Sequence, residues 1–269
     1  KCARGLRAHG VERGAHVALM LPNVPAYLIA WIALARLGAV AVAVNTASTS
    51  VELDNVLRVS ASSHIIIDAS YIDVYRALDP RKRLPAGNVV VHGPPPTDFP
   101  RSWSDLLESG SWETGDPAIE AQEVASIQFT SGSSGLPKAC MLSHLYWMMI
   151  GRVRASAGPP PSIMLIDTPM YYMGPMWRFM MALDIGATLC VARRYSLSGM
   201  LDRLIDHKIE FSLVTNPVAK LPDTPRFRQT NLLWLTTYGL SKDLHEGLES
   251  RFGVPVREIY GMTEIGAGM

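Results

Sequence analysis

Phe129-Thr130-Ser131-Gly132-Ser133-Ser134-Gly135-Leu136-Pro137-Lys138 joins two short apolar runs, residues 124–129 and 139–142. Both runs have the length and composition of strands, so the segment between them reads as a bend. Gly132 and Gly135 let the backbone turn its N–H groups inward with no side chain in the way. Thr130, Ser131, Ser133 and Ser134 add hydroxyl donors, and successive amides make a concave anion site. Lys138 adds a compact, strongly hydrated charge suited to phosphate oxygens. Ser/Gly-rich segments are ordinarily plain turns, yet this order of donors, ending on a lysine, predicts a polyphosphate cradle. It is not the common P-loop, which sets Gly directly before the Lys and Ser/Thr directly after it. Here Pro137 precedes Lys138, Ala139 follows, and the chain returns to a strand-like run.

Outward from the bend, apolar runs alternate with helical patterns. Upstream, the pattern predicts strands over 16–21, 39–44, 64–68 and 88–92 and a helix over 25–37. Thr49-Ser50-Val51-Glu52 spells a capping box that opens another helix. Downstream, Ser143 caps a helix to about 156, and strands fall over 163–167, 188–192, 211–215, 232–237 and 254–259. Helices at 175–183, 197–207 and 241–252 lie between them. The alternation predicts an α/β fold, with mostly parallel sheets flanked by helices in layered βαβ subdomains. Pro94, Pro95, Pro96 and Pro100 break it, leaving room for a short helix over 103–108. Residues 93–122 are expected to form a surface connection pinned by Trp103, Leu106 and Leu107. It would join a first half, 1–92, to a second half, 123–269, that carries the nucleotide motifs.

Composition narrows the function. The 269 residues are 48% hydrophobic and 18% charged, which excludes a disordered tail, a fibre and a disulfide mini-domain. The net charge is +1, so no global field draws the chain to nucleic acid or anionic lipid. Three separated cysteines with no CxxC predict a reducing, cytoplasmic setting and no structural zinc. Residues 26–44 are the most apolar stretch, but Arg36 would stand near mid-bilayer at a cost of about 3 kcal/mol. A helix to Leu37, a stop at Gly38 and a strand from Ala39 fit better, and no transmembrane segment is expected.

A second string, Tyr260-Gly261-Met262-Thr263-Glu264, follows the bend in order. Together the two resemble the phosphate loop and the Tyr-to-Glu motif of the adenylate-forming superfamily, which includes acyl-CoA synthetases, peptide-synthetase adenylation domains and luciferases. Gly38-Ala39-Val40, Pro22-Asn23, Gly186-Ala187-Thr188 and Arg251-Phe252-Gly253-Val254-Pro255 resemble acyl-CoA synthetase strings, so the likeness covers nearly the whole chain. It implies ATP-dependent activation of a carboxylic acid to an acyl-adenylate, then thioester formation with coenzyme A, as in fatty acid metabolism. The bend and Lys138 would hold the phosphates, Tyr260 would pack on the adenine with Gly261 and Met262 beside it, and Thr263 would bond the α-phosphate. Glu264 would help hold Mg²⁺; a carboxylate is the hard oxygen ligand this ion takes beside phosphates. Tyr238 and Gly239 would edge the adenine pocket, and Tyr172, Met173, Trp177, Asn216 and Tyr238 the acid.

The departures are specific. Ala139 replaces the family's usual Gly, Tyr172 stands at its His position, and Thr236-Thr237-Tyr238-Gly239-Leu240 is bulkier than the usual small-residue string. That last spelling resembles the carnitine/crotonobetaine-type ligases. Nine of the 13 methionines fall between Met141 and Met181, and Met173, Met176 and Met180 share helical spacing with Trp177, a stripe that could meet an acyl chain or simply fill the core. The first strands of the large domain and the small C-terminal domain with its adenylation lysine are missing from the 269 residues, so turnover is expected of a longer parent. A carrier-protein thiol as acceptor, or a non-enzymatic nucleotide-binding scaffold, are the rival readings.

Overall fold

A computed structural model describes residues 1–109, 118–130 and 137–267. The chain divides into two compact units, Lys1–Leu145 and Tyr146–Met269. In the first, β1 (His16–Met20), β2 (Val40–Ala43), β3 (His64–Asp68), β4 (Val89–His92), β5 (Val124–Thr130) and β6 (Lys138–Ser143) build one sheet in the order β4-β3-β1-β2-β5-β6. Every pairing is parallel except β5 with β6. Its helices are α1 (Cys2–Ala8), α2 (Pro25–Leu37), α3 (Ser50–Val59), α4 (Ile72–Arg76) and α5 (Trp103–Glu108). The central strands carry near-continuous apolar runs because helices cover parallel sheets on both faces; Val17, Ala18, Leu19 and Met20 are all fully buried.

Local chemistry sets the element ends. Pro25 starts α2 where its missing N–H costs nothing. Gly38 ends it in the left-handed conformation, φ 70°. The stretch that looked most like a membrane span is thus a buried helix followed by a strand. Among the described residues, no helix is long and apolar enough to cross a membrane. At α3 the capping box forms: Glu52 N donates to Thr49 Oγ1 at 3.3 Å and Thr49 N to Glu52 Oε2 at 2.7 Å. Ser102 and Asp105 cap α5 in the same way, and Leu106 is fully buried, so this part of 93–122 is pinned. Residues 93–122 lead back into the same sheet, because β5 pairs parallel with β2 and therefore needs a crossover to reach it. Alternation alone assigns β5 and β6 to the second half; their pairing joins them to the first sheet.

Helix α6 (His144–Ala155) carries the chain from one unit into the other. The second unit then runs β7 (Ile163–Ile166), α7 (Met173–Ile185), β8 (Thr188–Val191), α8 (Met200–Asp206), β9 (Phe211–Leu213), α9 (Asn216–Ala219), β10 (Trp234–Thr237), α10 (Lys242–Phe252) and β11 (Val256–Glu258). A small hairpin, β12 (Gly261–Met262) with β13 (Gly266–Ala267), follows. The larger sheet is parallel throughout, in the order β11-β10-β9-β7-β8. From β7 the chain steps to β8 on one side and then to β9 on the other. Open α/β sheets take ligands at the carboxyl ends of strands flanking such a reversal.

Candidate functional site

The first unit supplies the flanks of the bend. Thr130 is the last residue of β5 and Lys138 the first of β6, and the antiparallel register pairs them directly. Thr130 is half-buried and Lys138 exposed. A strand pair therefore anchors both ends of the expected phosphate cradle. Ser131, Gly132, Ser133, Ser134 and Gly135 lie outside the described residues. His144, just past β6, is half-buried with Nε2 lacking a hydrogen-bond partner, and burial holds its imidazole below the usual range despite the nearby Glu123 carboxylate.

The second unit holds the pentad. Tyr260 is exposed, Gly261 and Met262 form β12, and Thr263 and Glu264 occupy the turn before β13. Ile265 N donates to Met262 O at 3.2 Å and closes that turn. One side chain of α6 ties it down: Tyr146 Oη lies 2.9 Å from Thr263 O and 3.0 Å from Met173 Sδ. Tyr146 thus joins the pentad to the first residue of α7, and the sequence reading passed over it. Gly266 packs beside the same ring, where an added Cβ would meet Tyr146 Cε2 at 3.5 Å.

A second cluster forms behind the carboxyl ends of β7 and β10. Trp177 Nε1 donates to Tyr238 Oη at 3.2 Å. Tyr238 is half-buried, and burial raises its phenol above the ordinary range against the pull of that hydrogen bond and of Arg178 and Arg154. Gly239 follows with φ 57°. Arg178, fully buried on α7, donates to Leu165 O at 2.9 Å, Thr168 Oγ1 at 2.6 Å and Gly174 O at 3.3 Å. It also faces the buried Asp167 at 3.8 Å. These bonds clamp the end of β7 to the start of α7, from which Tyr172 and Met173 project. Tyr172 is exposed and caps α7 at its N-terminus; Asn216 is exposed at the start of α9, just past β9.

The methionine stripe does not act as one surface. Met176 and Trp177 are fully buried; Trp177 meets Phe211 edge-on, and the Phe211 ring centre in turn lies 4.3 Å from that of Trp234. Met180 instead lines an outer groove of about 270 Å³ with Met148, Met149, Arg152, Leu183 and Asp184. Met173 meets the Tyr146 hydroxyl, which also bonds Thr263 O. Arg154 and Arg178 escaped the sequence reading, although a charged residue within an apolar helix was the available signal. Among the described residues no cluster of three or more His, Cys, Asp or Glu forms a metal cage. Glu264 is an exposed carboxylate on a turn, a donor suited to a cation whose remaining ligands are phosphates and water.

The model of a family described as AMP-binding enzyme matches residues 1–269. 4-Coumarate–CoA ligase 2 of Petroselinum crispum is 24% identical over 99% of the chain and 51% of its own length. Crotonobetaine/carnitine–CoA ligase of Salmonella typhi is 26% identical over 97% of the chain and 52% of its own. The chain thus spans about half the length of the curated relatives it matches. A long-chain-fatty-acid-CoA ligase structure from Archaeoglobus fulgidus superposes with a TM-score of 0.85 at 21% identity, covering 98% of the chain and 55% of its own. A benzoate CoA ligase from Burkholderia xenovorans gives 0.85 at 17% identity, over 98% and 54%.

Proposed function

Because the chain belongs to the AMP-binding enzyme family, we propose that it forms the nucleotide-handling part of an AMP-forming acid–thiol ligase. The ligase joins a carboxylic acid to the AMP moiety of ATP and passes the acyl group to coenzyme A, in the cytoplasm. The carboxylate attacks the α-phosphorus and pyrophosphate leaves; the thiol of coenzyme A then attacks the acyl carbon and AMP leaves. The observation that carries this reading is the β5–β6 hairpin, which sets Thr130 beside Lys138 at the mouth of the hydroxyl-rich bend.

Each named residue has a physical task. Lys138 neutralises charge on the β- and γ-phosphates, and the bend's amides and hydroxyls fix them in place. The Thr263 hydroxyl donates to the α-phosphate as its oxygens gather charge, and Tyr146 holds that threonine's backbone still. Mg²⁺, when bound at Glu264, supplies charge neutralisation on the phosphates. Tyr260 presents an exposed ring to the adenine. Tyr238 and Tyr172 frame the acid.

Carboxylate-dependent ATP–pyrophosphate exchange by the full-length protein tests the reading, followed by thioester formation with coenzyme A or with a carrier protein. Exchange with at least one acid, and transfer to coenzyme A, is the expected result. ATP binding without exchange for any short, medium or aryl acid would point to the scaffold instead.

A further inference from the structure

Two guanidinium groups are buried in the second unit, Arg154 at 3% and Arg178 at 0% exposure, and among the described residues Asp167 is the one buried carboxylate. Arg178 is accounted for by Asp167, two carbonyls and a hydroxyl. Arg154 has far less. Its Nη2 makes a long bond to Thr236 Oγ1, 3.4 Å, and its Nε is buried with no hydrogen-bond partner. Its Cζ stands 5.3 Å from the centre of the Trp177 ring. A methionine would fill the same helix position without burying a charge, and apolar replacements of buried ions are often neutral or stabilising. Stability alone therefore does not account for an arginine here.

What Arg154 touches does account for it. Thr236 is fully buried on β10, two residues before Tyr238, and its hydroxyl is fixed in turn by donating to Arg257 O at 2.9 Å. Trp177 is fully buried on α7, and its Nε1 donates to Tyr238 Oη at 3.2 Å. A planar cation is attracted to an indole face, which favours the ring orientation that aims Nε1 at the phenol. One guanidinium thus grips both the strand from which Tyr238 departs and the indole that fixes the tip of its side chain. Tyr238 is half-buried, so it is the member of this set with surface left to offer a substrate.

We propose that Arg154 is a positioning residue: through Trp177 and Thr236 it holds Tyr238 in the orientation that shapes the acid subsite, without touching the acid itself. The inference rests on the ligase reading of that site. It also separates two tethers on one helix. Tyr146, about two turns earlier on α6, steadies the pentad, whereas Arg154 steadies the acid side.

The test is ATP–pyrophosphate exchange by the full-length protein with butyrate, hexanoate, decanoate and benzoate, continued with the acid of highest kcat/KM. Arg154→Met should raise KM for that acid at least about fivefold and leave KM for ATP within about twofold of wild type. A merely structural loss would instead lower the active fraction, and with it kcat. Arg154→Lys, which keeps the charge but loses the flat fork, should fall between. Tyr238→Phe removes the bond through which Arg154 acts; in that background Arg154→Met should add no more than about twofold, because two changes on one route do not multiply. Circular dichroism melts establish that the variants fold; if Arg154→Met does not, Arg154→Lys decides by the same two KM values. An unchanged KM for the acid, an equal rise in KM for ATP, or effects that multiply with Tyr238→Phe overturn the inference and leave the ligase standing. Absence of exchange with every acid overturns the ligase reading, and this one with it.

Discussion

The Tyr146 phenol holds the turn that carries Thr263 and Glu264. Tyr146→Phe removes the hydroxyl that meets Thr263 O and Met173 Sδ and keeps the ring against Gly266. The stability cost should be about 1 kcal/mol, the net worth of one neutral hydrogen bond. Function should suffer more than stability, with KM for ATP raised severalfold; an unaltered KM would mean the tether does not position the pentad. Lys138→Ala and Glu264→Gln act differently. Both side chains are exposed, so their loss should leave the melting temperature within about a degree while slowing exchange at least tenfold, because each charge matters chiefly when phosphates are present. The motifs themselves were legible as residues. Tyr146 was not, because nothing in a helix sequence says that one of its hydroxyls meets a carbonyl 117 residues later.

Elements were legible where local chemistry decides them. Pro25 and Gly38 bracket α2, and Thr49 with Glu52 opens α3, as the spelling predicts. Thr49→Ala should therefore cost about 1 kcal/mol, read from a denaturant midpoint. Illegible were the elements that tertiary pairing creates: the two-residue strands β12 and β13, and the short helices α4 and α9. The edge position of β6 has the same origin. Gly151 shows packing overruling propensity. An alanine there would gain about 1 kcal/mol of helix propensity. Its Cβ, however, would stand 2.9 Å from backbone atoms of Met180, a close α6–α7 approach that must open at a cost of roughly 1–3 kcal/mol. Gly151→Ala should lower stability; a rise in melting temperature would show that the two helices yield without penalty.

For the molecule as a whole, each compact unit has its own apolar core, one around Val42, Leu53, Ile65 and Val89, the other around Leu165, Leu204, Leu235 and Phe252. The first should be the more acid-sensitive. Desolvation holds the imidazoles of His64 and His144 below their ordinary range. The unfolded chain therefore takes up protons first, near pH 6.5. The stability these groups contribute is complete above that value and is lost as pH falls through their lower folded values. Melting temperature should decline from pH 7.5 to 5, and less steeply in His64→Asn; a flat profile would mean neither ring is kept neutral by burial. The apportioning of strands between the units depended on pairing between distant segments, which periodicity does not encode.

The indole of Trp177 lies between a stacked guanidinium and a phenol that accepts its N–H. Its excited state should report both neighbours. Any occupant that draws Arg154 from the ring or turns Tyr238 aside will alter the emission of a tryptophan no solvent quencher can reach, which gives this protein an optical signal for occupancy that needs no label.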